Sequence, residues 1–157
     1  MSKLNEKKIQ HYTINNSNLK GDNNYEVFIS AKSEDYSLAH RVCSFIAKNS
    51  YKVFFADKSL REEGNSDYGR IISRAIDSCS NLVIVSSSIN YINSSYVNKE
   101  WNLFYEEMRA GRKKGNLMCV LTDFINIDEL PIELRNTQNF YFKNYKPAIL
   151  DFLIRKS

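Results

Sequence analysis

Tyr96 and Glu100 are the residues of this 157-residue chain whose types and spacing best suit chemistry on a ligand. Val97, Trp101, Phe104 and Met108 repeat at helical spacing and define the apolar stripe of a helix. At about 100° per residue, Tyr96 lies about 40° from Glu100, and both sit on the border of that stripe. They are expected in the opening turn of the helix, directly after the serine-rich run from Ser86 to Ser95. A fixed negative charge and a flat ring would then face one cavity. The same spacing fits a structural role, with Glu100 complementing the positive end of the helix and Tyr96 packing on the surface.

Other motifs carry less. Gly64 and Gly69 have the spacing of a phosphate-binding loop, but the Lys and Ser/Thr that hold a terminal phosphate and Mg²⁺ do not follow. No Gly-x-Gly-x-x-Gly occurs, so a dinucleotide is not expected to bind in the Rossmann manner. His11 and His40 lack partners at ligand spacing, and no metal or bound cofactor is expected. No Gly-x-Ser-x-Gly elbow marks a serine nucleophile. Cys43, Cys79 and Cys119 are odd in number and lie in apolar periodic segments, as buried free thiols of a reducing cytoplasm do. The basic run Arg109 to Lys114 closes a helix, where cations complement the dipole.

Composition bounds the rest. The length fits one domain, able to bury roughly 68–70% of the surface its unfolded chain exposes. The net charge of +4 is too modest and dispersed to imply a nucleic-acid partner. No apolar run is long enough for a membrane span, and no secretory signal opens the chain.

Residues 1–24 read as a polar, asparagine-rich leader, flexible or loosely docked. From Tyr25 onward strands and helices alternate. Strands are expected at Tyr25–Ile29, Tyr51–Phe55, Leu82–Val85, Leu117–Leu121 and Phe140–Phe142. Helices are expected from Leu38 to Asn49, from Ile71 to Cys79, from Val97 to near Gly111, and after Pro147, with Leu150, Leu153 and Ile154 inward. A weakly helical stretch runs from Asn126 to Arg135, and a long polar loop from Ala56 to about Tyr68. The alternation implies an α/β fold, a parallel sheet with helices on both faces, and five strands in this rhythm are compatible with the flavodoxin-like order 2-1-3-4-5. Ligands of such sheets bind beyond the carboxyl ends of strands 1 and 3, here between the loops after Ile29 and Val85.

Several segments together resemble the bacterial TIR (Toll/interleukin receptor) domain family. Tyr25-Glu-Val-Phe-Ile-Ser30 with Ser33-Glu-Asp35 is similar to its first strand and loop. Phe54-Phe-Ala-Asp57, Leu60 and Gly64 are similar to its second strand and BB loop. Ile71 to Ser80 with Leu82 to Ser86 resembles the next helix and strand, and Ser94-Ser-Tyr-Val-Asn-Lys-Glu-Trp101 the segment carrying the family's glutamate. The resemblance covers residues 25–157.

It implies an enzyme that cleaves NAD+ at the nicotinamide–ribose bond, giving ADP-ribose or a cyclic isomer, with a role in anti-phage defence. NAD+ is then substrate, and no cofactor or metal is needed. Glu100 is the implied catalytic residue, and Tyr96 stands where many members carry Trp. Ser30, Ala31, Phe55 and Asp57 line the implied nucleotide pocket, with Ser86 near its floor. The resemblance further implies self-association through the loop Asp57–Tyr68, whose Arg61-Glu-Glu63 run would dock on a neighbour, and an effector that senses the product. Two other readings compete: a non-enzymatic TIR interaction module, and a nucleoside deoxyribosyltransferase-like enzyme, which also uses a carboxylate at a sugar.

Overall fold

The computed structural model describes residues 24–57 and 65–155. The leader up to residue 23 and the Arg61-Glu-Glu63 run lie outside the described residues. β1 (Val27–Ser30) is followed by a 3-10 turn (Ser33–Asp35), α1 (Tyr36–Lys48), β2 (Val53–Phe55), α2 (Asn65–Ser78) and β3 (Asn81–Ser86). Then come α3 (Ile89–Ile92), α4 (Ser95–Arg109), β4 (Asn116–Leu121), a second 3-10 turn (Ile127–Glu129), α5 (Ile132–Arg135), β5 (Gln138–Tyr141) and α6 (Tyr145–Leu150).

All strand pairs are parallel, and the order is β2-β1-β3-β4-β5. This is the flavodoxin-like arrangement with which the alternation is compatible. The apolar run of β3 is buried at every position, as a central strand covered on both faces must be. Side chains alternate between two cores. Phe28, Phe54, Leu82, Ile84, Cys119 and Leu121 join residues of α2 and α4 on one face. Val27, Ile29, Phe55, Val83, Val85 and Val120 join α1 and α6 on the other.

Some boundaries differ from the sequence reading. The expected loop up to Tyr68 is cut short, because α2 begins at Asn65 and takes in both Tyr68 and Gly69. Asp67 lies in its first turn, where an acid suits the helix dipole, so a polar stretch that reads as loop is helical. β5 runs from Gln138 to Tyr141, slightly earlier than expected. In α6, Pro147 is the third residue, still within the turn that tolerates a missing N–H; Leu150 packs partly buried against the core as expected, and Ile149 beside it is fully buried. Among the described residues no helix is long and apolar enough to cross a membrane.

Candidate functional site

The carboxyl ends of β1 and β3 are tied together by side chains. Asp35 is buried, and its carboxylate accepts from the Ser87 amide at 2.9 Å and from the Ser87 hydroxyl at 2.6 Å. Lys32, on the loop after β1, places its ammonium 5.3 Å from the ring centre of Tyr91 in α3. The same ammonium pairs with Glu34 at 2.7 Å, and hydrogen bonds from Lys32 and Ser33 hold the Glu34 carboxyl below the usual range. Ser86 at the end of β3 is buried and donates to the Ser88 carbonyl at 2.8 Å. The crossing point of the sheet therefore has fixed walls.

Glu100 stands beside that crossing point. α4 is anchored by Trp101, whose indole N–H donates to the Ile92 carbonyl at 3.1 Å, and by buried Val97 and Phe104. That anchoring turns the neighbouring Glu100 toward β1 with none of its surface exposed. Ser30 donates its hydroxyl to Oε1 at 2.6 Å, and Tyr68 donates its hydroxyl to Oε2 at 2.7 Å. Glu100 falls in the second turn of α4, not the first, and each of its carboxylate oxygens accepts from a hydroxyl. Taking a carboxylate out of water is costly unless donors replace the lost hydration. Each bond to a charged acceptor restores about 1.5–3 kcal/mol.

Tyr96, one turn earlier, is 38% exposed. Its ring meets that of Tyr68 edge-on, with centroids 5.1 Å apart, and the Lys99 ammonium lies 5.7 Å from the centre of the Tyr68 ring. Tyr68 thus bridges the buried acid and the partly exposed ring. The sequence reading left it out because a polar stretch surrounds it. A signal was present: Tyr68, Ile72, Ala75, Ile76 and Cys79 share one helical stripe.

The remaining candidates divide between the two faces of the sheet. Ser30 touches Glu100 directly. Ala31 and Phe55 are fully buried in the core on the α1 side, where Phe55 packs edge-on against Tyr36 and His40 at 5.1 and 5.0 Å. Asp57 is buried just past the end of β2. His40 is therefore part of a core contact. All three cysteines are buried and unpaired by disulfide. Burial pushes the Cys119 thiol up to about 12 and the Cys43 thiol well above its usual value, so neither offers a thiolate at neutral pH. Among the described residues no cluster of acids, histidines and cysteines is placed to hold a metal ion.

The basic run at the end of α4 is spent locally. Arg109 pairs with Glu106 at 2.7 Å and Arg112 with Glu107 at 2.5 Å. Lys113 donates to the carbonyls of Asp77 and Cys79, at 3.0 and 2.7 Å, at the end of α2.

Residues 27–154 match the family profile described as TIR domain. No curated protein matches the chain. Among solved structures, the chain is similar to a metazoan TIR-STING receptor from C. gigas, at 20% identity and a TM-score of 0.61, over 85% of this chain and 41% of that one. The same receptor in complex with 2′,3′-cGAMP aligns at 23% identity and 0.62, over 83% of this chain and 40% of that one. The TIR domains of the activated Roq1 resistosome, which directly recognises the pathogen effector XopQ, align at 24% identity and 0.50, over 66% of this chain and 60% of that one. The chain thus spans less than half of the receptor's length, and at these identities the likeness is one of fold.

Proposed function

Because the chain belongs to the TIR domain family, we propose that it cleaves NAD+ at the nicotinamide–ribose bond, releasing nicotinamide and either ADP-ribose or a cyclic ADP-ribose isomer. The observation that carries this reading is Glu100, a fully buried carboxylate at the carboxyl end of β1, held by two hydroxyls and set one helical turn from Tyr96. A purely structural position of this kind is often filled at least as stably by an apolar side chain of similar volume.

The chemistry asks little of the protein. Nicotinamide in NAD+ is a cationic leaving group. The carbon–nitrogen bond breaks with its electron pair going to the ring nitrogen, and nicotinamide departs neutral without a general acid. The ribose carbon takes on oxocarbenium character, as in glycoside cleavage. Glu100 stabilises that positive charge and accepts from the ribose hydroxyls. Ser30 keeps the carboxylate oriented, and Tyr96 supplies a ring for stacking. Attack by water gives ADP-ribose and a proton, whereas attack by an atom of the ADP-ribose itself closes a ring. In this reading Ala31, Phe55, Asp57 and Ser86 shape the strand ends around the nucleotide. Copies associate through the loop Asp57–Tyr68, and the product signals to an effector in the cytoplasm during bacterial anti-phage defence.

One observation favours a non-enzymatic interaction module: Glu100 has no exposed surface. A single experiment separates the two. Purified protein incubated with NAD+, free and under crowding that promotes association, is expected to release nicotinamide, and Glu100→Ala is expected to stop it while the fold persists. Turnover unchanged in Glu100→Ala removes the acid from the mechanism. Absence of nicotinamide under every condition leaves the interaction module. Chromatography of the adenine-containing product distinguishes ADP-ribose from a cyclic isomer.

A further inference from the structure

The fifth residue of α4 is Lys99, an exposed cation whose ammonium lies 5.7 Å from the ring centre of Tyr68. Ion pairs along a helix join residues three or four apart, and those places around Lys99 hold Ser95, Tyr96, Asn102 and Leu103. On the facing helix, Asp67 is taken by Arg70 at 2.7 Å. Among the described residues no carboxylate pairs with Lys99. Lys32 is the contrast, since its ammonium bonds both oxygens of Glu34, at 2.9 and 2.7 Å. The helix dipole does not favour a cation near the start of α4 either. Lys99 nevertheless stands beside the acid. Glu100 accepts from the Tyr68 hydroxyl, and the ammonium stands off the ring of that same tyrosine.

One tyrosine thus spaces a carboxylate from a cation that has no acid partner. A ribose spaces its anomeric carbon from its 5′-phosphate in the same way. We infer that Lys99 holds the phosphate of the ribose whose anomeric carbon meets Glu100, so that the site takes a phosphorylated nucleotide over a free nucleoside. The contact is a charge-assisted hydrogen bond from the ammonium to a phosphate oxygen, and no covalent bond is made or broken. A lysine suits this place as a point charge on a long, mobile stem. This inference rests on Glu100 being the ligand-facing acid of the proposed reaction, and it names the ligand class of that site. It also separates that reaction from a nucleoside deoxyribosyltransferase-like one, whose substrates carry no phosphate.

The test uses the full chain and ADP-ribose, which keeps that phosphate and whose binding needs no turnover. By calorimetry, Lys99→Gln should bind ADP-ribose about tenfold more weakly than the unaltered protein, and Lys99→Arg within about threefold of it. Lys48→Gln removes the same charge from the last turn of α1 and should leave the affinity unchanged. Added salt should weaken ADP-ribose binding by the unaltered protein more than by Lys99→Gln. In turnover, Lys99→Gln should lower kcat/KM about tenfold for NAD+ and less for nicotinamide riboside, which has the same scissile bond and no phosphate. Equal ADP-ribose affinity in Lys99→Gln overturns the inference, as does an equal loss in Lys48→Gln or no binding of ADP-ribose by the unaltered protein. An equal loss of kcat/KM on the two substrates overturns it too. Should Lys99→Gln not fold, Lys99→Met, which keeps most of the stem, takes its place in every arm. The two proposals fail separately. Weaker ADP-ribose binding in Lys99→Gln without nicotinamide release keeps the phosphate contact and removes the cleavage. Nicotinamide release with unchanged ADP-ribose affinity in Lys99→Gln removes the phosphate contact alone.

Discussion

At the amino-terminal edge of the sheet, Asn81 is fully buried, and its amide donates to the carbonyls of Glu26 at 2.9 Å and Ile154 at 2.8 Å. Its own carbonyl accepts from the Ile154 amide at 2.8 Å. At the carboxyl edge Glu100 is buried as deeply, yet its partners there are the side-chain hydroxyls of Ser30 and Tyr68. The first end uses a neutral amide to tie the main chain leading into β1 to the main chain following α6. Asn116 donates to the Phe152 carbonyl there, and Arg155 donates to the carbonyls of Ser50 and Asn49 at 2.9 and 2.7 Å. The second end buries an acid and meets it with side-chain hydroxyls from β1 and α2. Bonds to main chain at the first end knit the backbone together, whereas bonds between side chains at the second build a polar site. The difference separates the end that holds the molecule together from the end that can admit chemistry.

That contrast makes predictions that differ between the two ends. The largest effect is expected at Glu100. Glu100→Gln keeps the volume and removes the charge, and should lower NAD+ cleavage by about 10²–10³-fold or more, the cost typical of losing one preorganised electrostatic group. Its urea midpoint should move far less than that of an Asn81 variant. Asn81→Ala removes three hydrogen bonds to the main chain of Glu26 and Ile154, which costs about 3 kcal/mol of stability. Measured by urea unfolding at pH 7 with unchanged m-value, that loss should leave activity per folded molecule intact. An Asn81 variant that loses activity without losing stability would break the division. Gly115→Ala is the next step down. A Cβ there would lie 2.7 Å from the Ser80 carbonyl oxygen and 3.0 Å from Cζ of Phe104. Main chain must shift to admit it, at about 1–3 kcal/mol. Because Gly115 is at the amino-terminal edge, next to β4, this too should register in unfolding and not in turnover.

The two ends were not equally legible in the sequence. The parallel α/β class and the double burial of β3 follow from apolar runs and helix–strand alternation, which are local signals with a fixed period, whereas strand order is not readable from periodicity. Glu100 and Tyr96 could be singled out because one helix carries both. The hydrogen bonds that define the site join residues far apart: Ser30 to Glu100 spans 70 positions, Asp35 to Ser87 spans 52, and Tyr68 to Glu100 spans 32. Nothing periodic links such residues, since their meeting is fixed by the crossover connections. Phe55, which the family resemblance implies at the nucleotide pocket, has its ring on the α1 face because of alternation along the strand, while Phe54 faces the side of Glu100.

Asp35 tests the division most finely, because it stands at the carboxyl edge yet holds main chain. Its carboxylate accepts from both the amide and the hydroxyl of Ser87, fastening the loop after β1 to the loop after β3. Asp35→Asn retains one acceptor oxygen and loses the charge, so one of the two bonds is given up and the other weakened. The expected loss is about 1–2 kcal/mol, the smallest of the set, read as a lower urea midpoint. If the walls of the crossing point matter to the ligand, the same variant should raise KM for NAD+ a few-fold with kcat little changed, since Glu100 and its Ser30 partner are untouched. Stability lost with KM unchanged would group Asp35 with Asn81, as a main-chain fastener that happens to lie near the site. KM raised without loss of stability would instead extend the chemical end of the sheet out to the loop that Asp35 anchors.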